Sequence, residues 1–315
     1  MPAPMMPAPI MPAPIIGGSR TGPLRAATMT VGDIASALDR YTRWFDYVVI
    51  EQGLIAPDLA QAWAAPRVAG SRYGVLRPAS GLAVDLRLIE RPPIAGFSAM
   101  ARPGWTALEL CVEDIHAVHA RMQDSPFVVV GPPSAIASLP TIHPMQVEGP
   151  DGEFVFLTQI LAGGAAQGLP AAHAPVDALF ICVLGCQDMA ACAQWLAQSL
   201  DLIVAPPLDI PYRTLSRALG MAADTRHTIC TASRDGRLFL ELDQYPAGSM
   251  PRTALPGDLV PGVALVTLWH DRIDTIAGPW LTPPAVRAGA FYDGRRSGVL
   301  RMPEGALVEL IERGG

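Results

Sequence analysis

The chain repeats itself. Residues 33–46 (DIASALDRYTRWFD) and 188–201 (DMAACAQWLAQSLD) align without a gap, so any fold proposed for the chain must place the same unit at least twice. Each segment opens on an aspartate suited to capping a helix, because its carboxylate accepts free amides of the first turn and meets the positive end of the helix dipole. An apolar run of strand length precedes each, at 26–31 and 179–184. Farther on, 81–90 (GLAVDLRLIE) and 236–245 (GRLFLELDQY) read as strands entered from turns and halted near proline.

A second pair of matches lies after the first. Residues 107–115 (ALELCVEDI) and 264–273 (ALVTLWHDRI) are apolar runs that again end on an aspartate, Asp114 and Asp271. Residues 150–159 (PDGEFVFLTQ) and 303–312 (PEGALVELIE) each set a proline, an acid and a glycine before an alternating strand. Four units of strand, helix and further strands therefore follow one another in two pairs, an α+β arrangement. The expected division is a tail over 1–23, a first domain over 24–160, a linker over 161–175 (small, Gly-rich and Pro-containing) and a second domain over 176–313.

The tail contains three copies of MPAP, starting at Met1, Met6 and Met11. Prolines at that density remove amide donors and restrict the residues before them, so an extended, polyproline-like segment is expected, dispensable to the core. It lacks the charged n-region and continuous apolar stretch of a signal peptide, since its first basic residue is Arg20. No uninterrupted run of 18 apolar residues suggests a membrane span. A net charge of -6 without a long Lys/Arg run argues against nucleic acid and anionic membranes as partners. The five cysteines, an odd number set mostly in apolar runs, fit buried thiols and a cytoplasmic location.

The order of strand, aspartate-started helix, hairpin strands and closing turn before an apolar strand resembles the βαβββ module of the vicinal oxygen chelate superfamily, which includes glyoxalases, bleomycin-resistance proteins and extradiol dioxygenases. The resemblance covers nearly everything after the tail. It implies four βαβββ modules forming two curved mixed-sheet, glyoxalase-like domains, each a cup that holds a small-molecule ligand, in a monomer or homodimer. It also implies a divalent metal, held by His or Gln on first strands and Glu on closing strands. Counted seven residues back from the strand-ending aspartates, the first-strand positions fall on Ala26, Ala107, Ile181 and Ala264, none of which binds metal. The closing positions fall on Arg87, Phe156, Glu241 and Glu309.

The resemblance therefore points to the second half, with Glu241 and Glu309 as metal ligands or acid–base groups converging in one cup, and His227 as a third ligand. Tyr212, Arg213 and Arg217 in LDIPYRTLSRALG, and Tyr292 beside the Asp-Gly turn of FYDGRRSG, are candidate ligand-binding groups, whereas Arg295 and Arg296 read as solvated. His116 and His119 share a predicted helix without a carboxylate at ligand spacing, and His143, His173 and His270 carry no assigned role. The implied function is an enzyme acting on a small oxygenated or aromatic metabolite, a metal-independent isomerase or lyase being favoured over an extradiol dioxygenase. The alternative is a non-catalytic binding protein of the bleomycin-resistance type. No G-x-G-x-x-G, Walker, G-x-S-x-G or H-E-x-x-H motif supports another class.

Overall fold

The computed structural model describes residues 21–136, 139–276 and 279–314. All four units are present. The first comprises β1 (Thr21–Val31), α1 (Ile34–Phe45), β2 (Val48–Leu54), the short α2 (Pro57–Ala62), β3 (Arg72–Arg77) and β4 (Asp85–Glu90). The second comprises β5 (Gly104–Val112), α3 (Ile115–Gln123), β6 (Val128–Gly131), β7 (Ile142–Glu148) and β8 (Phe154–Ile160). The third runs through β9 (Val176–Cys186), α4 (Met189–Leu200), β10 (Ile203–Val204), β11 (Leu208–Pro211), α5 (Arg213–Ala218), β12 (Arg226–Arg234) and β13 (Arg237–Gln244). The fourth has β14 (Val263–His270), β15 (Trp280–Val286), β16 (Arg296–Arg301) and β17 (Leu307–Glu312).

The repeated aspartates start and end helices as their chemistry requires. Asp33 accepts from the Ser36 amide at 2.8 Å, and Asp188 from the Ala191 amide at 2.9 Å. Asp46 and Asp201, the last residues of the matched segments, both close their helices in the left-handed conformation, with φ of 58° and 54°. Asp114 caps α3 through the His116 and Ala117 amides. The fourth unit departs from the pattern. Asp271 follows its strand as expected, but only a 3-10 turn over Ile273–Thr275 stands where the other units have a helix. Pro279 comes too soon after this turn for a longer helix to continue.

In every unit the first and closing strands pair in parallel: β1 with β4, β5 with β8, β9 with β13 and β14 with β17. Units are joined through antiparallel contacts between first strands, and these joints differ from the expected ones. β1 pairs with β14, and β5 with β9. The first and fourth units thus make one sheet of eight strands, and the second and third make one of nine. Neither cup belongs to one half of the sequence: the division at 160 and 176 falls between the second and third units, inside the nine-stranded sheet. Four equivalent first-strand edges present the same backbone donors and acceptors, so local sequence does not choose which two edges meet.

The remaining boundaries also shift. Residues 21–23 are not tail but the start of β1, where Thr21 lies opposite His270, while residues 1–20 lie outside the described residues. The expected linker packs on the body: the Leu238 amide donates to the Gly168 carbonyl, and Gly168 sits at a φ of 75° so close to Gly236 that a Cβ would lie 2.1 Å from its carbonyl oxygen. The sheets alternate as half-buried strands do. On β17, Val308 and Leu310 enter the large core shared by both sheets, while Leu307 and Ile311 turn to the concave side with Glu309. All five cysteines are buried and free. Among the described residues no helix is long and apolar enough to cross a membrane.

Candidate functional site: two cups with opposite chemistry

The parallel registers locate the innermost row of each cup. Thr28 lies opposite Arg87 and Thr267 opposite Glu309 in the first cup. Glu109 lies opposite Phe156 and Val183 opposite Glu241 in the second. The four closing-strand residues counted from sequence therefore occupy equivalent places. The first-strand residues do not: the facing residues are Thr28, Glu109, Val183 and Thr267, which lie nearer the capping aspartates than the residues the count selected.

The cup of the first and fourth units is filled by a charge network. Glu309 is fully buried, and its carboxylate accepts from Arg87 Nη2 at 2.9 Å, Thr267 Oγ1 at 2.9 Å, Tyr292 Oη at 2.7 Å and Trp63 Nε1 at 3.3 Å. Burial pushes the Tyr292 phenol well above its ordinary value, which keeps it protonated as a donor. Arg87 spends further hydrogens on Thr28 Oγ1 and Tyr292 Oη, and its guanidinium lies 4.6 Å from the Trp63 ring and 4.4 Å from that of Phe291. Deeper along the same strand pair, Asp85 is held by Arg25 and by Arg77. The arginine from the first half supplies the positive charge that a metal would supply beside Glu309. All lone-pair directions of that carboxylate are taken.

Among the described residues, no arginine pairs with the acids in the cup of the second and third units. Glu109, Glu241 and Asp243 share its interior with Tyr212, among Phe154, Phe156, Ile181 and Val183. Glu109 and Glu241 retain partial access to solvent, whereas Asp243 is sealed. Burial first, and then the neighbouring Glu241 charge, pushes the Glu109 carboxyl up to about 8, although Thr158 donates to it at 2.5 Å. Burial, together with the adjoining Asp243, drives the Glu241 carboxyl well up, and burial lifts Asp243 to about 7. Both Asp243 oxygens lack any nitrogen or hydroxyl donor, so the proton that reaches them is Glu241's own. The Tyr212 hydroxyl is likewise buried without a partner.

The candidate residues separate accordingly. Glu309 and Tyr292 lie in the first cup, while Glu241, Tyr212 and His227 lie in the second, so Glu241 and Glu309 do not converge. Arg213 and Arg217 project from α5 into solvent, away from any ligand they were expected to clamp. His227 lies inside, 5% exposed, with burial lowering its proton affinity. Its Nε2 is 2.8 Å from Ser216 Oγ, which spends its own proton on the Tyr212 carbonyl, so the imidazole donates there. His227 therefore anchors α5 over the cup. On β12 the residue opposite Glu241 is Thr231, four positions from His227 or roughly 13 Å of strand, too far for both to bind one ion.

The metal that the resemblance implies does not fit either row. Thr28, Arg87, Thr267 and Glu309 offer one carboxylate, already neutralised; Glu109, Phe156, Val183 and Glu241 offer two carboxylates and no imidazole. Among the described residues, no three His, Cys, Asp or Glu side chains are placed to hold a metal ion. Glu109, Asp243, Arg87 and Trp63 were not selected from sequence as site residues. A signal existed for Glu109, which stands five residues before Asp114 as Thr28 stands five before Asp33.

With this geometry in place, the fold can be compared with solved structures. Glyoxalase I from Zea mays superposes with a TM-score of 0.61 at 15% identity, covering 94% of this chain and 92% of its own. A dioxygenase candidate from Bacillus subtilis subsp. subtilis str. 168 gives 0.62 at 11% identity, covering 95% of this chain and 87% of its own. The chain thus has the vicinal oxygen chelate fold in its tandem, four-module form. No protein-family model and no curated protein matches the sequence.

Proposed function

We propose that the cup of the second and third units is the functional one, and that it acts on a small oxygenated or aromatic molecule by metal-independent proton transfer, as an isomerase or lyase does. The observation that carries this reading is the set of three carboxyl groups facing an unpartnered phenol inside an apolar, aromatic-walled cup. A carboxyl pushed up to about 8 is mostly protonated at neutral pH, so Glu109 can donate to a carbonyl or hydroxyl oxygen of a bound molecule. The Glu241–Asp243 pair holds one shared proton and one charge; when Glu241 passes that proton to the sealed Asp243, its own partly accessible carboxylate can take a proton from an adjacent carbon. Tyr212 Oη offers the donor that orients the ligand oxygen. Phe154, Phe156 and Tyr212 provide its apolar walls.

A second reading, sequestration without chemistry, is favoured by the covering of the cup, since α5 is fixed over it by the His227–Ser216 contact and the Tyr245 hydroxyl ties the 99–101 turn down through the Met100 carbonyl at 2.8 Å. The two readings differ in what happens to carbon-bound hydrogen. Small oxygenated and aromatic compounds that raise the melting temperature are incubated with the protein in deuterium oxide and followed by proton NMR. Deuterium entering the compound, and its loss in Glu241→Gln, supports the enzyme; stabilisation without exchange supports sequestration. Binding that is indifferent to both Glu109→Gln and Glu241→Gln removes the cup from either role. Completion of both sheets within one chain supports a monomer, and five buried free thiols support a reducing compartment such as the cytoplasm.

A further inference from the structure

Between the two sheets, at the end where β5 begins and β17 is entered, lies a cleft of about 520 Å³ that borders the first cup at Trp63 and Leu307 and is separate from the acidic one. Its walls include Trp105, Leu259, Val260 and Leu307, and one charged side chain set into them is Arg252. Arg252 is 8% exposed, and among the described residues its hydrogen bonds go to carbonyls and not to a carboxylate. Carbonyl oxygens accept from it instead: Pro261 and Val263 at 3.3 Å from Nη1, and Ala99 at 2.9 Å from Nη2. Its Nε–H has no acceptor. A guanidinium so buried, with a donor left over, is an unusual charge to leave without an anion.

The other charges around the cleft do not supply that anion. Asp258 is engaged by Arg91 and Arg67, and the Glu304 carboxylate accepts the amides of Gln187 and Asp188 ahead of α4. Arg301 adds a second positive charge at the rim, where it donates to the Gly305 carbonyl at 3.3 Å. Gly104 borders the Arg252 edge without a side chain of its own. It holds a φ of 119°, and a Cβ there would stand 3.6 Å from both Cδ and Nε of Arg252.

We infer that this cleft is a binding site, separate from the acidic cup, for a small organic anion whose carboxylate or phosphate meets Arg252 and whose flat apolar body lies along Trp105, Leu259 and Val260. The buried donor selects the ligand, since neither a cation nor an uncharged ring accepts from the Arg252 Nε–H. A carboxylate and a phosphate monoester both satisfy this chemistry, so matched probes distinguish them.

The test titrates the full chain calorimetrically with benzoate, phenyl phosphate and benzylamine. Saturable binding of benzoate or phenyl phosphate, weakened by added salt, is expected, with benzylamine inert; the tighter of the two anions identifies the headgroup. Arg252→Gln should weaken binding by about tenfold or more, the weight of a charge-assisted hydrogen bond. Because Arg252 also ties three carbonyls together, that variant can lose stability, and Ala254→Glu provides the independent arm. Ala254 lines the cleft and is partly exposed, so a carboxylate there repels the anion while leaving every Arg252 contact in place. A folded Ala254→Glu protein with wild-type affinity for the anion, binding of benzylamine with equal strength, or no anion binding at all, would each overturn the assignment.

Discussion

Arg87 and Glu309, 222 residues apart in sequence, form an ion pair of 2.9 Å in which both side chains are closed to solvent. The contact joins the first unit to the fourth across the β1–β14 seam. A buried pair is weak evidence for net stability, but breaking one is costly because the surviving charge stays uncompensated. Arg87→Met is expected to lower unfolding free energy by about 3–5 kcal/mol in a denaturant titration. Adding Glu309→Gln to it should restore much of that loss, since the second change removes the stranded charge. A double variant no better than the single would mean the network stabilises by shape alone.

The acids of the other cup give stability a distinctive dependence on pH. Glu109 and Asp243 are pushed up to about 8 and about 7, chiefly by burial, whereas in an unfolded chain they titrate near ~4. The folded protein therefore keeps protons that the unfolded chain has already released, and its relative stabilisation, complete below about pH 4, is lost as pH rises through 7 and 8. Melting temperature should fall between pH 5.5 and 8.5, opposite to the trend for carboxylates in ion pairs. Asp243→Asn and Glu109→Gln should each flatten the profile and raise the melting point at pH 8.5. Profiles that keep the wild-type slope would show that these groups titrate in the ordinary range.

Most of the fold was legible because the unit is local. The capping aspartates, the closing turns and the alternating strands are each written in a few consecutive residues, and the matched segments 33–46 and 188–201 become helices ended by the same left-handed aspartates. The pairing of units was not legible. It depends on which of four similar strand edges meet, and no side-chain pattern within a unit records that choice. The candidate site inherits this error: Glu241 and Glu309 share the right position on their strands but lie in different cups, and their true neighbours, Glu109 and Arg87, come from the other half of the chain. Asp243 was legible by alternation, since a residue two positions from Glu241 shares its face, but the closing position singled out one residue per strand.

Separating the halves offers a direct check on that topology. A fragment of residues 1–160 leaves β1 without β14 and β5 without β9, so two apolar seams open at once. Each half expressed alone is expected to be poorly folded by circular dichroism and hydrogen exchange, and mixing the two fragments should restore cooperative melting. Independent folding of 176–313 would mean its sheets can close without the first half.

Helix capping predicts a graded series. Asp188→Ala should cost about 1 kcal/mol, the usual loss for an unsatisfied first-turn amide, and Asp33→Ala should lower the melting point in the same direction. Asp271→Ala should cost less than Asp188→Ala, because no α-helix begins after Asp271. Equal losses at Asp188 and Asp271 would place a hidden capping role in the fourth unit.

In our proposal, function resides in the acidic cup, and the cup containing Glu309 is structural. A pair of matched variants tests it, Glu241→Gln and Glu309→Gln, each assayed by calorimetry and by solvent deuterium exchange with a compound that binds the wild-type protein. Glu241→Gln should abolish binding or exchange while remaining folded, and Glu309→Gln, though less stable, should retain both when measured below its melting transition. Retention of both in Glu241→Gln, with loss in a folded Glu309→Gln protein, would contradict the assignment and move the site to the first cup.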